Sequence, residues 1–264
     1  MTDFRNSNAR NFPPVVQLRT SQAARHAAAA IVHDIEDTLD HTVLAALRAA
    51  ALDPEPGNAR TVMKQMIADG VSPEQLSDHY IPAIARELGD RWCDDNLSFA
   101  NVTIGTSRLQ FMLRELGVNW SGNAVARSNP ETILLIVSKD VYHTLGAVVL
   151  SGQLRRQGLS VKLILGADTK DIAQRVARTK YSAVFISSSR GELLEPLRLI
   201  VDAVKASTVE QIPIVIGGTI LDVETAETVT ALTGATYATK IPQEALELCG
   251  LQFMQDDARI KMRS

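Results

Sequence analysis

The stretch Lys139–Gly146, KDVYHTLG, brings together a carboxylate, an imidazole and a glycine as Asp140, His143 and Gly146. It lies between two apolar runs, ETILLIVS and AVVLSGQL, where the pattern predicts a strand ending and a helix beginning. An imidazole on such a corner can cap a helix, act as a base or hold a metal. Two further clusters follow later apolar runs. Ser187-Ser188-Ser189-Arg190 comes after AVFI and offers hydroxyls that both donate and accept. Gly217-Gly218-Thr219 comes after PIVI, where paired glycines let backbone approach a neighbour closely. Singly, each has an ordinary structural explanation: a solvent-facing histidine, an N-cap serine cluster, a tight turn. Their recurrence at successive strand ends is the signal.

The elements that would position these residues are legible as a change of pattern along the chain. Residues 1–25 carry Asn, Arg and Pro-Pro with few apolar groups and predict a flexible tail. From Ala23 the composition turns helical, and Ile31, Ile35, Leu39, Val43, Leu44 and Leu47 recur at the spacing of a buried stripe. A second helix is predicted over Asn58–Ala68. A third opens at Ser72-Pro73-Glu74-Gln75, an N-cap followed by proline at the first helical position, and runs to about Gly89. A fourth spans Ser98 to Leu116 and stops at Gly117. Residues 26–118 thus read as a four-helix bundle, with Phe111, Met112 and Leu113 in its core, and the polar segment 119–130 as a linker. Beyond it, residues 131–264 alternate five apolar runs (ILLIV, VKLIL, AVFIS, PIVIG, ATYAT) with helical segments, one of them over Asp222–Leu232. That alternation predicts a Rossmann-like, flavodoxin-like five-stranded parallel sheet covered on both faces. Such sheets bind ligands beyond the carboxyl ends of their strands. The chain therefore reads as a two-domain protein.

Composition narrows the function classes. The 264 residues are 45% hydrophobic and 22% charged, with a formal net charge of −3, which disfavours nucleic acid as the main partner. No apolar run is long enough to span a membrane, and the polar N-terminus predicts no secretory signal. Cys93 and Cys249 lack metal-ligand spacing and read as reduced thiols of a cytoplasmic protein, Cys249 in the core. Neither GxxxxGK nor GxGxxG follows a strand, against a nucleotide-dependent enzyme.

The set of strand-end residues resembles the cobalamin-binding domain, whose pattern is Asp-x-His-x-x-Gly, then Ser-x-Leu, then Gly-Gly. The resemblance implies that His143 is the lower axial ligand to cobalt and Gly146 the motif glycine. Ser187 would match the serine and Gly217 and Gly218 the glycines along the cofactor's nucleotide tail; Ser189 stands where the pattern has Leu, and with Thr219 it completes the cofactor-binding candidates. The run LGDRWCDDNLSFANVTIGTSRLQ resembles the helical module that caps the upper face of cobalamin in methionine synthase and in cobalamin photoreceptors. Trp92 then becomes a candidate for the upper face of the ring; taken alone, a tryptophan at a helix end reads as core.

Three departures refine the resemblance. Val141 occupies the family's acid position, and Asp140 stands one residue earlier. Either Asp140 reaches His143 through a longer loop or the ring N–H meets a carbonyl or water. Val102 and Thr103 stand where adenosylcobalamin photoreceptors carry Glu-His, implying an upper face open to hydroxide or small alkyl ligands. No winged helix-turn-helix is predicted before the bundle, so no direct sequence-specific DNA binding is expected. In this combination the chain resembles the AerR/PpaA antirepressors of purple photosynthetic bacteria. That resemblance implies hydroxocobalamin or an alkylcobalamin as cofactor, a DNA-binding repressor as protein partner, no catalytic residues, and light- or redox-linked control of photosynthesis genes. Two alternatives stand beside it: a corrinoid methyl carrier of a methyltransferase system, and a haem sensor on the same fold.

Overall fold

A computed structural model of the chain describes residues 38–55, 57–120, 131–139 and 144–251. The predicted tail, most of the predicted linker, Ile31, Ile35, and the pair Asp140 and His143 lie outside the described residues. From Asp40 onward the chain forms one compact unit.

Its first part is helical. Helix α1 (His41–Leu52) is capped by Asp40, whose side chain accepts from the Thr42 backbone N–H at 2.7 Å. Helix α2 (Asn58–Ala68) has the predicted bounds. The predicted cap at Ser72 is a full capping box: Ser72 Oγ accepts from Gln75 N, and Gln75 Oε1 accepts from Ser72 N. The helical run it starts does not stop at Gly89. Helix α3 (Pro73–Gln75) passes through a π-helical turn (Leu76–Tyr80) into α4 (Ile81–Cys93). Helix α5 (Phe99–Trp120) likewise runs through Gly117. A glycine inside a helix costs about 1 kcal/mol against alanine, which packing by Leu109, Met112, Leu113 and Leu116 offsets. Phe111 is only half-buried, and the Arg60 guanidinium lies 5.2 Å above its ring.

The second part is a parallel sheet of β1 (Thr132–Ser138), β2 (Ser160–Ala167), β3 (Ala183–Ser187), β4 (Ile214–Gly217) and β5 (Tyr237–Ala238), in the order β2-β1-β3-β4-β5. Its helices are α6 (Leu145–Arg156), α7 (Thr169–Arg178), α8 (Leu194–Ala206), α9 (Ala226–Thr233) and α10 (Pro242–Leu248). Strand alternation divides the core into two layers. Leu134, Ile136, Val184, Ile186, Ile214 and Ile216 pack with α7, α8 and α9 on one face. Ile133, Leu135, Val137, Ala183, Phe185 and Val215 pack with α6 and α10 on the other. The segment expected as one helix from Asp222 is a 3-10 turn (Thr219–Asp222) followed by α9. Thr225 supplies the cap, its side chain accepting from Thr228 N, so the helix starts only after it.

Candidate functional site

The strand order reverses between β1 and β3. The connections leaving β1 and β3 therefore diverge and open a crevice at the carboxyl edge. Three strand ends meet there in register: Val137 pairs with Ser187, and Ser187 with Gly217. By alternation Ser187 and Gly217 belong to the face covered by α6 and α10. Ser187 is half-buried. Gly146, in the first turn of α6, is exposed, with no described residue within 4 Å of where a Cβ would stand. Ser151, one turn from both Ala147 and Leu154, is 3% exposed, and its hydroxyl is buried without a hydrogen-bond partner among the described residues. A buried orphan hydroxyl, a half-buried one and an exposed glycine suit a polar, elongated ligand better than a closed core.

The paired glycines have a different immediate cause from the one their sequence suggests. A Cβ on Gly217 would stand 2.7 Å from the Thr239 carbonyl oxygen. Gly218 has φ +106°, and a Cβ there would overlap the Ser188 carbonyl. The space they leave is filled by the chain itself, at the ends of β3 and β5. Ser188 N donates to Gly217 O at 2.8 Å, and Ile220 N donates to Ser188 O at 3.4 Å.

The triple serine does not cap the following helix, which begins only at Leu194 with Leu193 before it. Its loop is instead locked by Glu192, which accepts from Ser188 Oγ at 3.1 Å and from Ser189 N at 2.6 Å. The spacing Ser189-x-x-Glu192 is the capping-box signature, and that was the available sequence signal. Thr219 Oγ1 accepts from Arg190 N at 2.9 Å, tying the loop after β3 to the turn after β4. Asp222 pairs with both Arg190 and Lys240, so the loops after β3, β4 and β5 are joined through one carboxylate. Ser187, Ser189, Gly217, Gly218 and Thr219 are thus brought together as the sequence predicts.

Trp92 is not brought to them. It sits in the last turn of α4 and is 45% exposed rather than core. With Asp95, Asn96, Leu97, Ser98, Phe99 and Asn101 it lines an open cavity of about 400 Å³. The Trp92 and Phe99 rings are tilted at 57° with centroids 6.2 Å apart. Asp95 turns the chain between α4 and α5 with φ +58°.

One link between the bundle and the edge had no sequence signature. Gln110 Nε2, on α5, donates to Thr144 Oγ1 at 2.9 Å, beside the position of His143 in the chain.

A family model described as the B12 binding domain matches residues 131–247. Over 169 residues the chain is 35% identical to a Rhodobacter capsulatus protein described as an uncharacterized 20.5 kDa protein in the bchF-crtJ intergenic region. The match covers 64% of this chain and 87% of that protein. Among solved structures the chain is similar to the Methanosarcina barkeri monomethylamine corrinoid protein. The TM-score is 0.60 and the identity 14%, over 76% of this chain and 94% of the other, a likeness of fold. The chain belongs to the same family as the Rhodobacter capsulatus protein and is a B12-binding-domain protein of the AerR/PpaA type.

Proposed function

We propose that this protein is a cytoplasmic cobalamin-responsive regulator, without catalytic turnover, that acts through a DNA-binding repressor rather than on DNA itself. The observation that carries the binding half of this reading is the register Val137–Ser187–Gly217 at the reversal of strand order, directly beside the β1–α6 corner that holds His143 in the sequence. The regulatory half is supported by kinship with a protein of the bchF-crtJ intergenic region.

The described residues fit the group. In this reading the hydroxyls of Ser151 and Ser187 take hydrogen bonds from the nucleotide tail, and Gly146 leaves room beside the α6 start. Ser189, Thr219, Gly217 and Gly218 shape the wall through their own hydrogen bonds and close packing. His143 would hold the cobalt, with Asp140, a carbonyl or water orienting its ring. Trp92, in its own open cavity, would contact the cofactor only from the bundle side. Bound cobalamin would supply a cobalt with an exchangeable ligand. A change there acts on a partner only if the partner binds the two states with different affinity.

The test is protein purified with its native cofactor, its absorption compared in light and dark, together with the His143→Ala variant reconstituted with hydroxocobalamin. The reading predicts a cobalamin spectrum, altered coordination in the variant, and light- or ligand-dependent binding to the repressor. An unchanged spectrum and affinity in His143→Ala removes the ligand assignment. Reconstitution with haem in parallel separates the haem alternative.

The corrinoid methyl carrier remains the second reading, favoured by the fold shared with the monomethylamine corrinoid protein. Methyl transfer from the reconstituted protein to a thiol, with a partner enzyme present, would decide for it.

A further inference from the structure

The layer between α6 and the sheet is apolar around one hydroxyl. Ser151 lies four residues after Ala147 and three before Leu154, so it shares their face of the helix. Ala147 and Leu154 pack with Leu135, Val137, Phe185 and Val215. Ser151 is 3% exposed, and its hydroxyl has no hydrogen-bond partner among the described residues. Other helical hydroxyls of this chain donate to the carbonyl four residues back. Thr103 meets Phe99 O and Ser107 meets Thr103 O, each at 2.8 Å, and Thr233 meets Val229 O at 2.6 Å. Ser151 makes no such bond to Ala147. A buried hydroxyl left unmet weakens a fold, so its presence here calls for a use outside the fold. Ala147 and Gly152 beside it add almost no side-chain volume. At 1.5 Å per residue, Ser151 lies about 9 Å along α6 from Leu145, the first residue of the helix. The hydroxyl is therefore deep in the layer whose carboxyl edge carries Ser187 and Gly217.

We infer that Ser151 determines which corrinoids this protein accepts: its hydroxyl donates to a ring nitrogen of the base that ends the nucleotide tail. The site then prefers a benzimidazole or purine base over a phenolic base or none. This inference rests on the reading that the chain binds cobalamin with the tail between α6 and the sheet. The base is the far end of that tail, so it is the part that reaches deepest. Apolar walls with a single hydroxyl match a flat aromatic ring with one exposed nitrogen lone pair. A serine hydroxyl has one proton and two lone pairs, so accepting from a hydroxyl of the tail leaves its proton free for that nitrogen. A phenolic ring offers no ring nitrogen and leaves the buried hydroxyl unmet. Sites built around one buried hydrogen bond discriminate against a ligand that lacks it for this reason.

The experiment titrates cofactor-free, full-length wild type and Ser151→Ala with four corrinoids and follows binding by absorption. These are hydroxocobalamin, a corrinoid with an adenine base, one with a phenolic base, and cobinamide, which lacks the nucleotide. The ratio of variant to wild-type Kd is taken for each ligand, so the cost of freeing the base from cobalt cancels. Ser151→Ala is expected to weaken binding of the two nitrogen-base corrinoids about tenfold, the scale of one hydrogen bond. Binding of the phenolic-base corrinoid and of cobinamide should not change. Without cofactor, the variant should resist denaturant at least as well as wild type, because it loses an unmet hydroxyl. No loss for any ligand, or an equal loss for all four, overturns the inference while leaving cobalamin binding standing. Wild-type protein that binds neither nitrogen-base corrinoid more tightly than cobinamide instead overturns the reading of the tail beneath it.

Discussion

Arg156 and Asp78 form an ion pair at 2.6 Å, with each side chain only 18% exposed, between the helix after β1 and the π-helical turn of the bundle. Asp78 also accepts from Ser77 Oγ at 2.7 Å, and Ser77 is fully buried. The pair is therefore fixed from more than one side. Removing one partner of a buried pair leaves the other charge desolvated, a loss of about 3–5 kcal/mol at full burial. With some solvent access here, Asp78→Asn is expected to destabilise the protein by about 1–3 kcal/mol in chemical denaturation. The double variant Asp78→Leu/Arg156→Met should recover most of that loss. A neutral Asp78→Asn would mean that the pair is screened by water.

The glycines after β4 give a sharper test of structure against ligand. Gly218 combines φ +106° with close contact to the Ser188 carbonyl. Gly218→Ala should therefore cost more than about 2 kcal/mol, combining left-handed strain with displaced backbone. Gly217→Ala should be milder, since its φ is ordinary and the conflict is with the Thr239 carbonyl alone. Both losses should appear in protein without cofactor. If denaturation of the cofactor-free variants matches wild type, the glycines serve only the ligand.

The two thiols should behave differently. Cys249 is buried in the layer under α6 and α10, and burial pushes its thiol up to about 12. Cys93 is exposed. One thiol should react rapidly with a disulfide reagent in the native protein and both after denaturation. The sign of the pH effect follows from the same shift. The neutral Cys249 thiol is favoured in the fold, so its contribution is fully present below the unfolded thiol value of about 8.5. It is lost as pH rises from there towards about 12. Two fast-reacting thiols in native protein would refute the burial.

Elements were legible in the sequence where local chemistry decides them. The β1 run, the bounds of α2 and the Ser72 capping box follow from apolar pattern and cap residues. Helix ends at glycine were not, because Gly89 and Gly117 lie in helices held by packing from other elements. The site was legible as a set of residue types at strand ends, since a parallel sheet must gather them at one edge. Their partners were hidden. Gly218 answers to Ser188, thirty residues earlier, and Thr144 to Gln110, thirty-four residues earlier. Neither relation leaves a periodic trace in the chain.

Trp92 separates a stabilising role from a binding one. Its ring is 45% exposed beside Phe99, itself 69% exposed, so neither contributes much to the bundle core. A tilted aromatic pair adds about 0.5–1.5 kcal/mol when well packed, and less when wet. Trp92→Phe keeps a ring against Phe99 and should change stability by less than about 1 kcal/mol. If the cavity it lines takes the upper side of cobalamin, the same variant should alter the absorption and affinity of the hydroxocobalamin-loaded protein. Both should be measured on one preparation. A large loss of stability would place the indole in the fold after all. Unchanged stability together with an unchanged cofactor spectrum would remove Trp92 from the site.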